Sequence, residues 1–168
     1  MDFILRLAPL ALSLAGFSGL VAALRARNFK SWLPRERFLL WMLLITSLGV
    51  MFFALLPAAL DSVGASSRIT WTVSSASLGL YLLIAVIFAT RAELKLVRRG
   101  ERRARPQAWL LFPLTFLVSI GLFINASAIV SAPSSGIYFV ALLIILMEAS
   151  AMFLLLLTFP AGESASDN

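Results

Sequence analysis

The sequence contains no cysteine and no histidine. The first absence excludes disulfides, thiol nucleophiles and metal sites built on thiolates, and the second removes imidazole bases, His-based metal sites and haem ligation by His. A thiol-free chain is compatible with either side of a membrane, so cysteine usage does not assign a compartment. Charge is also scarce: 13% of the 168 residues are charged and 61% are hydrophobic, with a mean hydropathy of +0.97. Soluble domains use roughly 45–50% apolar residues. The composition is that of an integral membrane protein. Walker, GxGxxG, GxSxG and HExxH signatures are missing as well, so no enzyme, metal or cofactor is expected.

What the chain does have is long apolar runs. A hydrocarbon core of ~30 Å needs about 20 helical residues to cross it, and five segments qualify, at about 3–24, 38–60, 71–90, 108–132 and 137–159. The expected fold class is all-α: an integral membrane bundle of five transmembrane helices forming one domain over residues 1–168. The polar, small-residue end "PAGESASDN", residues 160–168, reads as a disordered tail. The opening "MDFILR" lacks the positive start of a signal peptide, so the first segment is expected to remain as a span.

The net charge of +6 does not indicate nucleic-acid binding, because the basic residues sit in short loops and not on a soluble face. Twelve of the fourteen Lys and Arg residues fall in the first and third loops. The positive-inside rule then puts the N-terminus outside and the C-terminus inside. Aromatic residues agree, with Trp32, Trp41 and Trp109 near the inner ends and Trp71 and Tyr138 near the outer ones. The third loop, "RAELKLVRRGERRARPQ", offers Arg98, Arg99, Arg102, Arg103 and Arg105 to anionic head groups on the inner face, and it can prolong the third helix as far as Gly100.

Helix contacts in lipid depend on close backbone approach. Ala11, Ala15, Gly19 and Ala23 recur every four residues in the first span and form a small-residue stripe, facing either another span or a second copy. Pro9, Pro57 and Pro113 are expected to shape helices.

Depth bookkeeping at 1.5 Å per residue places Glu148, Tyr81, Ser119, Ser47 and Ser13 at ~15–20 Å from the outer surface, one polar group on each span. Asn125, with Ser74, Ser75 and Ser77, forms a shallower set at ~5–10 Å. Glu148 stands alone in "LLIILMEASAMFLLLL". An ionised acid there costs ~2.5–3.5 kcal/mol on insertion scales, and no Lys or Arg shares its depth. It is expected to be neutral, to face the bundle interior and to donate to Tyr81, Ser119 or a backbone carbonyl.

The overall pattern, including the outer helix start "WTVSSASLGLY", resembles small multi-span proteins of bacterial inner membranes. The tryptophan-rich sensory proteins also have five spans at this length, but this chain has four Trp and lacks their paired-proline loop. The expected role is a structural or accessory subunit or an assembly factor. The alternative is an oligomeric small-solute or proton-coupled transporter or channel that uses Glu148. The expected partners are the anionic bilayer surface and either a second copy or another membrane protein, and not nucleic acid.

Overall fold

The computed structural model of the chain describes residues 2–25, 34–98, 106–127 and 133–158. Regular structure within them is entirely helical: α1 (Asp2–Leu5), α2 (Leu7–Arg25), α3 (Pro34–Ser62), α4 (Ser67–Arg98), α5 (Pro106–Ser127) and α6 (Ser135–Thr158). Four stretches are long and apolar enough to cross a bilayer, namely Arg37–Ser62, Ser67–Lys95, Leu110–Ser127 and Ser135–Leu155. α2 adds a shorter apolar stretch, Leu7–Phe17. The chain is therefore a multi-pass membrane protein. Arg99, Arg102, Arg103, Arg105, Trp32 and the tail at 160–168 lie outside the described residues.

The helix ends follow local chemistry. α1 and α2 are separated at Arg6, where Pro9 has no N–H for the Leu5 carbonyl and its ring crowds that carbonyl. Pro9 itself is the third residue of α2, a position whose N–H has no helical partner in any case. α3 closes in a Schellman motif: Gly64 N–H donates to Asp61 O at 3.0 Å and Ala65 N–H to Leu60 O at 3.1 Å. Gly64 has φ +80°, which an L side chain resists. Ser66 then caps α4, accepting from Ile69 N–H at 3.5 Å. α4 runs on past the apolar span's expected end at Thr90 to Arg98, within the extension to Gly100 that the sequence allows, with Arg98 exposed.

The helices pack in a closed circuit, α2 on α3, α3 on α4, α4 on α5, α5 on α6 and α6 back on α2, with α3 and α6 also packed across the middle. One buried cluster includes Leu7, Val50, Leu78, Leu122, Leu142 and Ile145, and a smaller one includes Leu40, Leu43, Ala149 and Met152. The small-residue stripe has an internal use at Ala11 and Ala15, which are buried on the helix packed against α3. Gly19 is exposed, and the Ala23 side chain lies outside the described residues.

Polar side chains bind neighbouring helices mostly through backbone carbonyls. Tyr81 Oη on α4 donates to Ile45 O on α3 at 2.8 Å. Gly49 makes this approach feasible, because a Cβ there would stand 2.5 Å from Tyr81 Oη. Ser119 Oγ on α5 donates to Gly79 O on α4 at 2.8 Å. Tyr138 Oη on α6 donates to Phe53 O on α3 at 2.6 Å. Phe53 is four residues before Pro57, so its carbonyl is the one that Pro57 leaves without a helical donor. The tyrosine replaces the missing bond, as buried carbonyls in lipid require.

Candidate intramembrane site

Glu148 is 5% exposed and sits on α6 where α3, α4 and α5 converge. Its Oε2 lies 2.8 Å from Thr115 Oγ1 on α5, and Thr115 Oγ1 also lies 2.9 Å from the Leu111 carbonyl of its own helix. A hydroxyl carries one proton. Both contacts are hydrogen bonds together only when Glu148 is protonated, donating to Thr115 while Thr115 donates to Leu111 O. With the carboxylate ionised, Thr115 must choose between them.

The other oxygen, Oε1, is buried without a hydrogen-bond partner among the described residues. Beside the acid is a partly open cavity of about 20 Å³, lined by Thr46, Tyr81, Ala85, Ala89 and Met152 among others. That volume is enough for one water, which needs ~10–15 Å³ on the same measure. None of the lining residues is Lys, Arg or Asp.

The remaining predicted site residues divide into three groups. Tyr81 shares the cavity with Glu148, yet its hydroxyl proton goes to Ile45 O. Ser119 lies a turn from Thr115 on α5 and is committed to Gly79 O. Ser47 is fully buried, with its Oγ unpartnered among the described residues. Ser13 is exposed on α2 and donates back to Pro9 O at 2.8 Å, so it joins no interior layer.

Asn125 anchors a separate outer group. Its Nδ2 donates to Ser75 Oγ at 2.8 Å and to Ser134 O at 3.2 Å, and its Oδ1 accepts from Ser134 N–H at 2.9 Å. Ser134 in turn caps α6, accepting from Ile137 N–H at 3.4 Å. Ser77 bonds within its own helix, and the buried hydroxyls of Thr70 and Ser74 lack partners among the described residues. No known protein family, curated protein or solved structure matches the chain.

Among the described residues, buried Ser119, with its hydroxyl committed to Gly79 O, lies between the outer group and Glu148. Between the Asn125–Ser75 level and the Thr115–Glu148 level stand Leu78, Leu122 and Leu142, all at most 1% exposed. No cluster of His, Cys, Asp or Glu suited to a metal occurs among the described residues.

Thr115 is missing from the polar layer expected from depth, which is counted from Ala132; residues 128–132 lie outside the described residues, and the described part of α5 reaches Ser127. Counted from Ser127, Thr115 is ~18 Å deep and Ser119 only ~12 Å. The spacing of Thr115 and Ser119, one helical turn apart, was the available signal.

Proposed function

We propose that this chain is a five-span accessory subunit or assembly factor of a bacterial inner membrane, with its N-terminus outside and its C-terminus inside. α2, at 19 residues, supplies a helix of ~28 Å for the fifth crossing. The basic segments before α3 and after α4 give the orientation and hold the inner ends against anionic lipid. The observation that carries the accessory reading is the closed interior. Tyr81, Ser119 and Tyr138 all end on carbonyls of this same chain, and Leu78, Leu122 and Leu142 seal the space between the outer polar group and Glu148. Such a bundle is built to be packed against, not passed through. Native mass spectrometry after gentle extraction is expected to find the chain in a stoichiometric complex with another membrane protein or with itself. A chain recovered only as a lipid-bound monomer would sink this reading.

Glu148 favours a second reading, proton-coupled transport by an oligomer, because an intramembrane acid with an unpartnered oxygen is costly to keep. Under it, Glu148→Gln abolishes pH-driven flux in reconstituted vesicles with expression intact. Flux equal to wild type in that variant removes it.

A further inference from the structure

We propose that the cavity beside Glu148 is a water-and-proton site: one water bonds to Glu148 Oε1, and through it the acid exchanges its proton with the end of the bundle that carries the C-terminus of α6. This deepens the second reading, but it holds equally in a protein that transports nothing.

Three observations support it. Glu148 Oε1 is a buried acceptor with no protein partner among the described residues, and a cavity of one-water size adjoins the carboxyl group. A buried water needs about two to four polar partners. Besides Glu148, the lining includes two further hydroxyl-bearing residues, Thr46 and Tyr81, and Tyr81 keeps lone pairs free after donating to Ile45 O. The third observation concerns direction. The lining reaches Met42, Ala89, Phe112 and Met152, all on the side of the α6 C-terminus, whereas Leu78, Leu122 and Leu142 close the opposite side.

The proton balance is simple. The acid proton lies between Glu148 Oε2 and Thr115 Oγ1, and Thr115 passes its own hydrogen bond to Leu111 O. When the carboxyl group turns over, the protonated oxygen faces the water; the water accepts that proton and in the same step gives one of its own to the other carboxylate oxygen, so the acid stays neutral and its former proton leaves when the water molecule exchanges with bulk at that end. Among the described residues no charged side chain of α3, α4 or α5 lines the cavity and Tyr81 is the only other titratable one that does, while the sequence of α2 carries no charge between Leu7 and Leu24.

Infrared spectroscopy of the full chain in lipid tests this directly. A protonated-acid C=O band, absent from Glu148→Gln, is expected in wild type and shifts when H₂O is replaced by D₂O. Ala85→Leu fills the cavity and is expected to slow that shift by about tenfold or more. Ser74→Ala, beyond the apolar seal, leaves it unchanged. If Ala85→Leu does not fold, Ala85→Val serves, with a smaller slowing in the same direction. Equal exchange in the filled and wild-type proteins overturns the water site, and so does the lack of a Glu148 acid band. Missing flux overturns only the transport reading, because exchange is read without transport.

Discussion

At the scale of single residues, hydrogen-bond bookkeeping separates the groups that stabilise the bundle from the one that does not. Tyr138 serves a carbonyl with no other helical donor, so Tyr138→Phe is expected to cost about 1–3 kcal/mol, the penalty for a buried group left unsatisfied. Tyr81 serves the Ile45 carbonyl, which the N–H of Gly49 can still reach within α3. Tyr81→Phe should therefore cost only ~0.6 kcal/mol, the average for such bonds in membranes. Thermal melts in detergent rank the two, and equal losses would contradict the role given to Pro57. Glu148 is the opposite case. Removing it as Glu148→Leu leaves Thr115 bonded to Leu111 O and eliminates Oε1, which no described protein group satisfies. The melting temperature is expected to hold or rise, since exchanging a partly satisfied buried polar group for an apolar one is often neutral or better. A marked loss of stability would make Glu148 a packing residue and remove the main support for its having any other role.

At the scale of helices, the couplings run through proline and glycine. Pro57 and Tyr138 form a testable pair: Pro57→Ala restores an N–H to the Phe53 carbonyl and should rescue most of the loss in Tyr138→Phe, a non-additivity of about 1 kcal/mol or more. Additive melts would show that the tyrosine acts through packing alone. Gly49→Ala forces a Cβ to within 3 Å of three Tyr81 atoms, in a core where overpacking costs typically ~1–3 kcal/mol. These couplings were not legible in the sequence, and the reason is rotational. Hydropathy locates the apolar run of a helix along the chain, and the candidate spans of α3 and α6 lie on such runs. It says nothing about which way each helix turns about its axis. Ser13 shares the depth expected for Glu148 but is exposed on α2, while Thr115, which depth counting from Ala132 leaves out of the layer, is the side chain that meets the acid.

At the scale of the whole molecule, the missing cysteines provide a clean way to measure which end of the bundle faces the cell interior. Any thiol introduced is the only one in the chain. Val63 is 78% exposed between α3 and α4, Ser135 is exposed at the start of α6, and Lys95 is exposed near the far end of α4. The 29 residues from Ser67 to Lys95 span ~43 Å of helix, more than the hydrocarbon thickness, so Val63 and Lys95 belong to opposite faces. In intact cells a membrane-impermeant maleimide is expected to label Val63→Cys and Ser135→Cys, and to label Lys95→Cys only after the membrane is opened. The reverse pattern would invert the orientation taken from the arginine-rich loops. It would also move the Glu148 cavity's access to the outer face, because that access lies at the Lys95 end of α4. Labelling of all three in intact cells would mean that α4 does not cross at all, and the bundle would have to be rethreaded around it.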